Sequence, residues 1–253
     1  MDGEKVSIVS WKSWQSGEGL YRLTSPRSGR FFDVSSLKQM PSPQKHRSCC
    51  KDIRPQNSAR YFKNPAPVLG CSRVRKLLGA LNGGNVLEIG GGCLRNALYL
   101  QGLDLKVSVL EVQGMRERFP LEYRRFEDSG GRLLDALPRH GLFDLAIATF
   151  VIETICEPSL RIRIISRVRH LLKPAACLIL SVRGPSDLVT AQNKGRPCSD
   201  GYITPSFTFS RSYTRSQLQH FLSQCHFSTV EFLHKKTTKE PELLHALAWR
   251  RES

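Results

Sequence analysis

From Cys71 onward, apolar runs of strand length alternate with stretches in which apolar residues recur every three to four positions. This alternation is the pattern of βαβ units around a parallel sheet. "NVLEI" (85–89) predicts a first strand, and "LRNALYLQG" (94–102), beyond three glycines, predicts a helix. "KVSVLEV" (106–112) reads as the second strand, "LEYRRF" (121–126) as a weaker third and "FDLAIATFV" (143–151) as the fourth. In "PSLRIRIISRVRHLLKP", Leu160, Ile164, Ile165, Val168, Leu171 and Leu172 share one helical stripe, arginines fill the intervening face, and Pro174 closes the helix. "ACLILSV" (176–182) supplies a fifth strand. A late helix opens at "TRSQLQHFL", where Thr214 and Gln217 stand at capping-box spacing. The runs "STVEFL" and "HALAWR" predict two closing strands, joined too briefly for a crossover helix and therefore antiparallel.

Residues 1–69 lack such periodicity and are rich in Ser, Pro, Arg and Lys, so they are expected to form an irregular N-terminal arm before a domain spanning 70–253. Within the arm, "SIVSWKSW" and "GRFFDV" have the character of short strands, and two tryptophans favour docking onto the domain. No apolar run approaches the roughly 18 residues of a membrane span, and the N-terminus has no leader-like apolar core. A soluble, cytoplasmic protein with no membrane partner is the expectation. Eight cysteines are scattered without a Cys-x-x-Cys, which fits a reducing compartment. Cys49 and Cys50 with His46 lack a second thiol pair at ligand spacing, so no metal is expected. The formal charge of +16 attracts polyanions, which keeps nucleic acid open as a partner.

Gly90, Gly91 and Gly92 fall in the turn after the first strand, which in a parallel sheet faces the ligand crevice. Side-chain-free backbone there accepts positive φ and lets a ligand approach closely. The third glycine of a dinucleotide fingerprint is replaced by Arg95, and the Gly-Lys-Ser/Thr of a P-loop is absent. A nucleoside-like ligand without a pyrophosphate remains. Glu111, about twenty residues past the turn at the end of the second strand, can accept hydrogen bonds from two ribose hydroxyls. Glu88, just before the glycines, suits a ligand ammonium group or a salt bridge to a neighbouring arginine.

Taken in order, "VLEIGGGCLRNALYL", "VSVLEV", "GLFDLAIATFVIETI" and "LLKPAACLILSV" resemble the motif series of class I S-adenosylmethionine-dependent methyltransferases. The resemblance covers the chain from about residue 70. It implies an α/β, Rossmann-like, doubly wound seven-stranded sheet of order 3-2-1-4-5-7-6 with its last strand antiparallel, and S-adenosylmethionine as cofactor. Carried over by position, Glu88 and Gly90 to Gly92 would border the methionine part and Glu111 the ribose. Asp128 would contact adenine, with Glu127 and Asp135 as rivals. Thr149 and Phe150 would face the sulfonium, and Asp144 would be structural. "PAAC" stands where the family has a proline and two glycines.

The methyl acceptor is not written in these motifs. The Asn/Asp-Pro-Pro-Tyr/Phe of base-modifying enzymes and the Pro-Cys of cytosine-C5 enzymes are missing after the fourth strand, and Pro197–Cys198 follows the fifth. The long stretch from Arg183 to Thr214 reads as an acceptor lid. Its Tyr202, Phe207, Phe209 and Tyr213 fit base stacking, but the alternation in "YITPSFTF" fits a half-buried hairpin equally well. Arg183 and Arg211 fit an anionic acceptor or a solvated face. His46, His140 and Glu153 are proton acceptors read as structural. "GYITPSFTFSRSYTRSQL" and "ARYFKNPAPVLGCSRVRKLL" more distantly resemble bacterial methyltransferases associated with DNA phosphorothioation. Two rivals stand beside methyl transfer: a nicotinamide-dependent oxidoreductase, disfavoured by Arg95 and the lack of Tyr-x-x-x-Lys, and a non-catalytic nucleic-acid-binding module on the same fold.

Overall fold

A computed structural model describes residues 64–141, 143–233 and 242–251. The cysteine pair at 49 and 50, His46, both arm tryptophans and the two arm strands lie outside the described residues.

Five parallel strands make the body of the sheet: β1 (Asn85–Ile89), β2 (Lys106–Leu110), β3 (Arg132–Leu134), β4 (Phe143–Thr149) and β5 (Leu172–Arg183). Two more close it, β9 (Thr229–Phe232) and β10 (Leu243–Trp249), with β10 antiparallel to both β5 and β9. The order β3-β2-β1-β4-β5-β10-β9 is the expected 3-2-1-4-5-7-6. Helices cover both faces. On one, α1 (Ser72–Ala80), α2 (Arg95–Gln101) and, after the short α3 (Gln113–Arg118), α4 (Pro120–Asp128) pack Val74, Leu78, Ala97, Leu100, Tyr123 and Phe126 onto Val86, Val107, Leu145 and Ile147. On the other, α5 (Pro158–Leu171) and α7 (Arg215–Gln224) pack Ile165, Val168, Leu218 and Leu222 onto Leu87, Ala146, Leu178 and Leu180. Burial on both faces explains why the central strands read as unbroken apolar runs. The capping box of Thr214 and Gln217 forms, with Gln217 N–H donating to Thr214 Oγ1 at 3.2 Å.

Three expectations are corrected. "LEYRRF" belongs to α4, because Pro120 fits the helix's first turn and Tyr123 and Phe126, three apart, bury one face. The true third strand has three residues, too few to show a period. Helix α5 ends at Leu171 rather than at Pro174, since Leu172 is already extended (φ −74°, ψ 145°) and begins β5. Arg161 is only 1% exposed, so it joins the buried stripe instead of the solvent face. In "PAAC", Ala175 takes the left-handed φ of +60° that a glycine would adopt without strain. Among the described residues, no helix is long and apolar enough to cross a membrane.

The stretch from Arg183 to Thr214 is folded: α6 (Val189–Lys194) leads into a three-stranded antiparallel sheet of β6 (Arg196–Cys198), β7 (Gly201–Ile203) and β8 (Phe209–Ser210). Hairpin burial therefore explains its alternation at Ile203 and Phe209.

Candidate functional site

The carboxyl ends of β1, β2, β3, β4 and β5 lie on one edge of the sheet, and the glycine turn follows β1 there. Gly90 and Gly92 adopt φ of +72° and +57°, which L side chains disfavour. A Cβ on Gly90 would lie 2.5 Å from Val151 Cγ2, and one on Gly91 would lie 2.6 Å from Val109 Cγ1. The glycines thus let the turn fit beneath Val151 and over β2, in addition to baring main chain. Leu94 caps α2 in a left-handed conformation (φ 62°) with its side chain fully buried.

Glu111, one residue past β2, is fastened to that turn. Its Oε2 accepts from Gly92 N–H and its Oε1 from Val112 N–H, both at 2.7 Å, while Tyr123 Oη donates to Gly92 O at 2.9 Å. Burial raises the Glu111 pKa; the two N–H groups and Arg116 act in the opposite direction. Each carboxylate oxygen keeps a second lone pair, so this geometry orients Glu111 without exhausting its acceptors.

Glu88 faces the α2 side of the sheet and is fully buried. Its Oε1 accepts from Asn96 Nδ2 at 2.9 Å; Oε2 has no partner. Desolvation raises the carboxyl pKa to about 8, with Glu111 adding repulsion, while the Asn96 bond, Arg95 and the nearby Ala97 N–H offset part of the rise. The same Asn96 amide donates to Thr149 Oγ1 at 3.1 Å, and its Oδ1 accepts from Ala66 N–H at 2.8 Å. One side chain therefore ties β1, β4 and the segment preceding α1 together. Asn96 was missed in the motif reading, though an Asn beside Ala97 and Leu100 on a short apolar helix face is a signal that a buried polar role explains.

Phe150, directly after β4, has φ of +59° and donates its N–H to Ser181 O at 2.9 Å. Asp144 is structural: its Oδ2 accepts from Asn85 N–H at 2.9 Å and its Oδ1 meets Lys173 Nζ at 2.6 Å. Asp128 is not brought to the crevice as expected. It ends α4 and is exposed, because the segment before it is helix and not strand. The residue that follows β3 is Asp135, held by Arg116 at 2.8 Å and otherwise open, its side chain 94% exposed.

Beyond β4, Glu153 is fully buried in a 3-10 turn (Ile152–Thr154). Neither carboxylate oxygen meets hydrogen-bond geometry. Burial raises its pKa to about 8, although the N–H groups of Glu153 and Arg183 and the Arg183 charge lie near enough to favour ionisation. The small sheet is fastened beside this turn by Arg161, which donates to Ile155 O (2.6 Å), Cys156 O (3.1 Å) and both oxygens of Asp200 (2.8 and 2.6 Å). Arg211 also pairs with Asp200. Phe209 and Tyr213 are about 1% exposed, so they belong to the core and are not free stacking surfaces; Phe207 is exposed and Tyr202 partly so. Among the described residues, no group of three His, Cys, Asp or Glu could hold a metal.

This architecture is shared with solved methyltransferases. One is the 1,6-didemethyltoxoflavin-N1-methyltransferase of Burkholderia thailandensis, solved with 1,6-didemethyltoxoflavin and S-adenosylhomocysteine. It is similar over 72% of this chain and 79% of its own, with TM-score 0.50 and 19% identity. An S-adenosylmethionine-dependent methyltransferase of Methanosarcina mazei is similar over 68% and 94%, with TM-score 0.53 and 19% identity. Another from Clostridium acetobutylicum gives 72% and 89%, TM-score 0.53 and 14% identity. No family model matches the sequence, and the search of curated proteins finds no match. The chain thus has the Rossmann-like fold of S-adenosylmethionine-dependent methyltransferases, and the likeness is one of fold. The resemblance to DNA-phosphorothioation methyltransferases is not shown by these structures.

Proposed function

We propose that this protein is a methyltransferase that binds S-adenosylmethionine at the carboxyl edge of β1, β2 and β4. The carrying observation is Glu88, a fully buried carboxyl two residues ahead of a left-handed glycine turn, whose Oε2 has no bond of full hydrogen-bond geometry and only the Ala97 N–H near the group. A cationic ligand group supplies what that oxygen lacks. Glu111 accepts the ribose hydroxyls, Gly90 to Gly92 border the methionine part, and Thr149 and Phe150 close the β4 side. Asp135 takes over the adenine role first assigned to Asp128, since it follows β3. When bound, the cofactor supplies a methyl group on a positively charged sulfur.

The chain's own task is alignment and water exclusion. Asn96 fixes Glu88 and Thr149 against each other, and Glu111 fixes the glycine turn that both sides share. The dinucleotide alternative fits less well, because the Gly92 N–H that would meet a phosphate is already bonded to Glu111. The charge of +16 supports a polyanionic acceptor, with nucleic acid as the class to try first. Calorimetry with S-adenosylmethionine and S-adenosylhomocysteine tests the cofactor assignment. Binding around the micromolar level is expected, and its absence in folded protein overturns the reading. Labelled methyl incorporation into fractionated cell extract then identifies the acceptor.

A further inference from the structure

Helix α5 runs from the carboxyl edge of the sheet back to its opposite edge, where β5 starts and β10 ends. Basic side chains gather there. Arg163, Arg167 and His170 stand at positions i, i+4 and i+7, so they share one stripe of the helix. Arg167 Nη2 donates to Pro138 O and Arg139 O, both at 2.7 Å, and Arg169 Nε donates to His226 O at 2.6 Å, just past α7. Arg250 Nη1 reaches from the end of β10 to Arg169 O (3.4 Å), His170 O (3.1 Å) and Leu172 O. Arg251 follows in the chain. Arg163, His170, His226 and Arg251 are exposed, and Arg167, Arg169 and Arg250 are half-buried. Every charged neighbour that acts on His170 is a cation: after burial, Arg169, Arg167, Arg250 and His226 lower its pKa.

What holds these guanidinium groups is neutral. Their acceptors are main-chain carbonyls, and among the described residues none of Arg163, Arg167, Arg169, Arg250 and Arg251 forms an ion pair. Asp144, the acid that opens β4 on this edge, is taken by Lys173 and the Asn85 N–H. The carboxyl ends of α5 and α7 carry roughly −0.5 charge each, so of the guanidinium charges about four remain uncompensated. Arg167, Arg169 and Arg250 each commit one nitrogen to carbonyl oxygen. That fixes each fork and leaves its other nitrogens for phosphate oxygens. We propose that this edge is a docking surface for the phosphodiester backbone of duplex nucleic acid. A duplex carries about one charge per 1.7 Å of its axis, and a fixed set of forks meets it without reading bases. Single strands fit less well, because proteins grip them by stacking bases on aromatic rings. The exposed aromatic residue among those described, Phe207, lies between β7 and β8, away from this edge. The length of β4, at roughly 3.3 Å per residue, puts this surface about 20 Å from the crevice. It therefore anchors the protein to a polyanion and does not present a base to the cofactor. Docking there does not depend on the methyl-transfer reading.

The test is fluorescence anisotropy of the full chain with a labelled DNA duplex of about 20 base pairs, titrated at several salt concentrations. A Kd of about 1–100 μM is expected near physiological salt, with the logarithm of affinity falling against that of salt at a slope of about −3 to −5. Arg163→Gln combined with Arg251→Gln removes two exposed charges and leaves the carbonyl-bound arginines in place. The slope should shrink by about two, and binding should weaken about tenfold. Arg75→Gln combined with Lys76→Gln removes the same charge from exposed positions on α1, over the other face of the sheet, and should leave both nearly unchanged. That comparison separates a local surface from net charge. Excess S-adenosylhomocysteine should not displace the duplex, since the crevice lies on the opposite edge, and a single strand of equal length should bind several-fold more weakly. The proposal is overturned by equal losses in the two double variants, by no duplex binding in folded protein, or by displacement with S-adenosylhomocysteine. An equally tight single strand, or tighter binding to phosphatidylglycerol vesicles than to the duplex, overturns it as well. Duplex binding without S-adenosylhomocysteine binding would sink the cofactor reading and leave this surface standing.

Discussion

If Glu88 meets the cationic end of the cofactor, binding and ionisation of Glu88 are one equilibrium. Without ligand its pKa is about 8, so at pH 7 only about one molecule in eleven carries the carboxylate. Binding that requires the ionised form then costs about 1.4 kcal/mol at pH 7 and about 2.7 kcal/mol at pH 6. The apparent affinity for S-adenosylmethionine should therefore rise about ninefold from pH 6 to pH 7. Close to one proton should be released per molecule bound at pH 6 to 7. Calorimetry in buffers of different ionisation enthalpy reads that proton directly. Glu88→Gln removes the titrating group, and its pH slope should vanish, which separates Glu88 from Glu111 and from titration of the ligand. The same shift fixes a stability trend. A carboxyl whose folded pKa is raised favours folding below its unfolded pKa and loses that contribution as pH climbs through about 8. Ligand-free protein should accordingly lose stability over that window, and Glu88→Gln should not share the loss. A flat wild-type affinity between pH 6 and pH 7, or an equal slope in the variant, refutes the reasoning.

Three further outcomes follow from the same geometry. Glu111→Gln turns one acceptor oxygen into a donor facing the Gly92 or Val112 N–H, so S-adenosylhomocysteine affinity should fall about 10- to 100-fold and Tm by about 3–10 °C, read by calorimetry and thermal melting. Gly90→Ala combines a left-handed φ with a 2.5 Å approach to Val151 Cγ2. It should destabilise the domain by about 2–4 kcal/mol, and adding Val151→Ala should recover the steric part only. Asn96→Ala leaves Ala66 N–H, Glu88 Oε1 and Thr149 Oγ1 without their partner. Chemical denaturation should show a loss of about 2–4 kcal/mol, and cofactor binding at pH 7 should weaken further as Glu88 becomes harder to ionise.

The sheet was legible because its strands are buried on both faces, so Val86, Leu87, Val107, Val109 and Leu145 to Ala148 had to form apolar runs whatever their contacts. The glycine turn and Glu111 were legible for a related reason, since backbone dihedrals and a strand-end acid are local features. Failures fell where burial overrides composition. Arg161 looked like a surface arginine and is buried by Asp200, a residue 39 positions away. "LEYRRF" has bulky strand formers, and Pro120 with packing of Tyr123 and Phe126 made it helix. Asp128 and Asp135 could be ranked only once the short β3 was located.

The amino-acid order alone determined the alternation of strands and helices, the side-chain-free bend after β1 and the acid at the end of β2, because each is set within a few residues by periodicity and steric freedom. Only the folded chain decided that Asn96 joins Glu88 to Thr149 and that the stretch after β5 is a pinned sheet. Those relations depend on which distant groups exclude water from one another, and no local pattern encodes that.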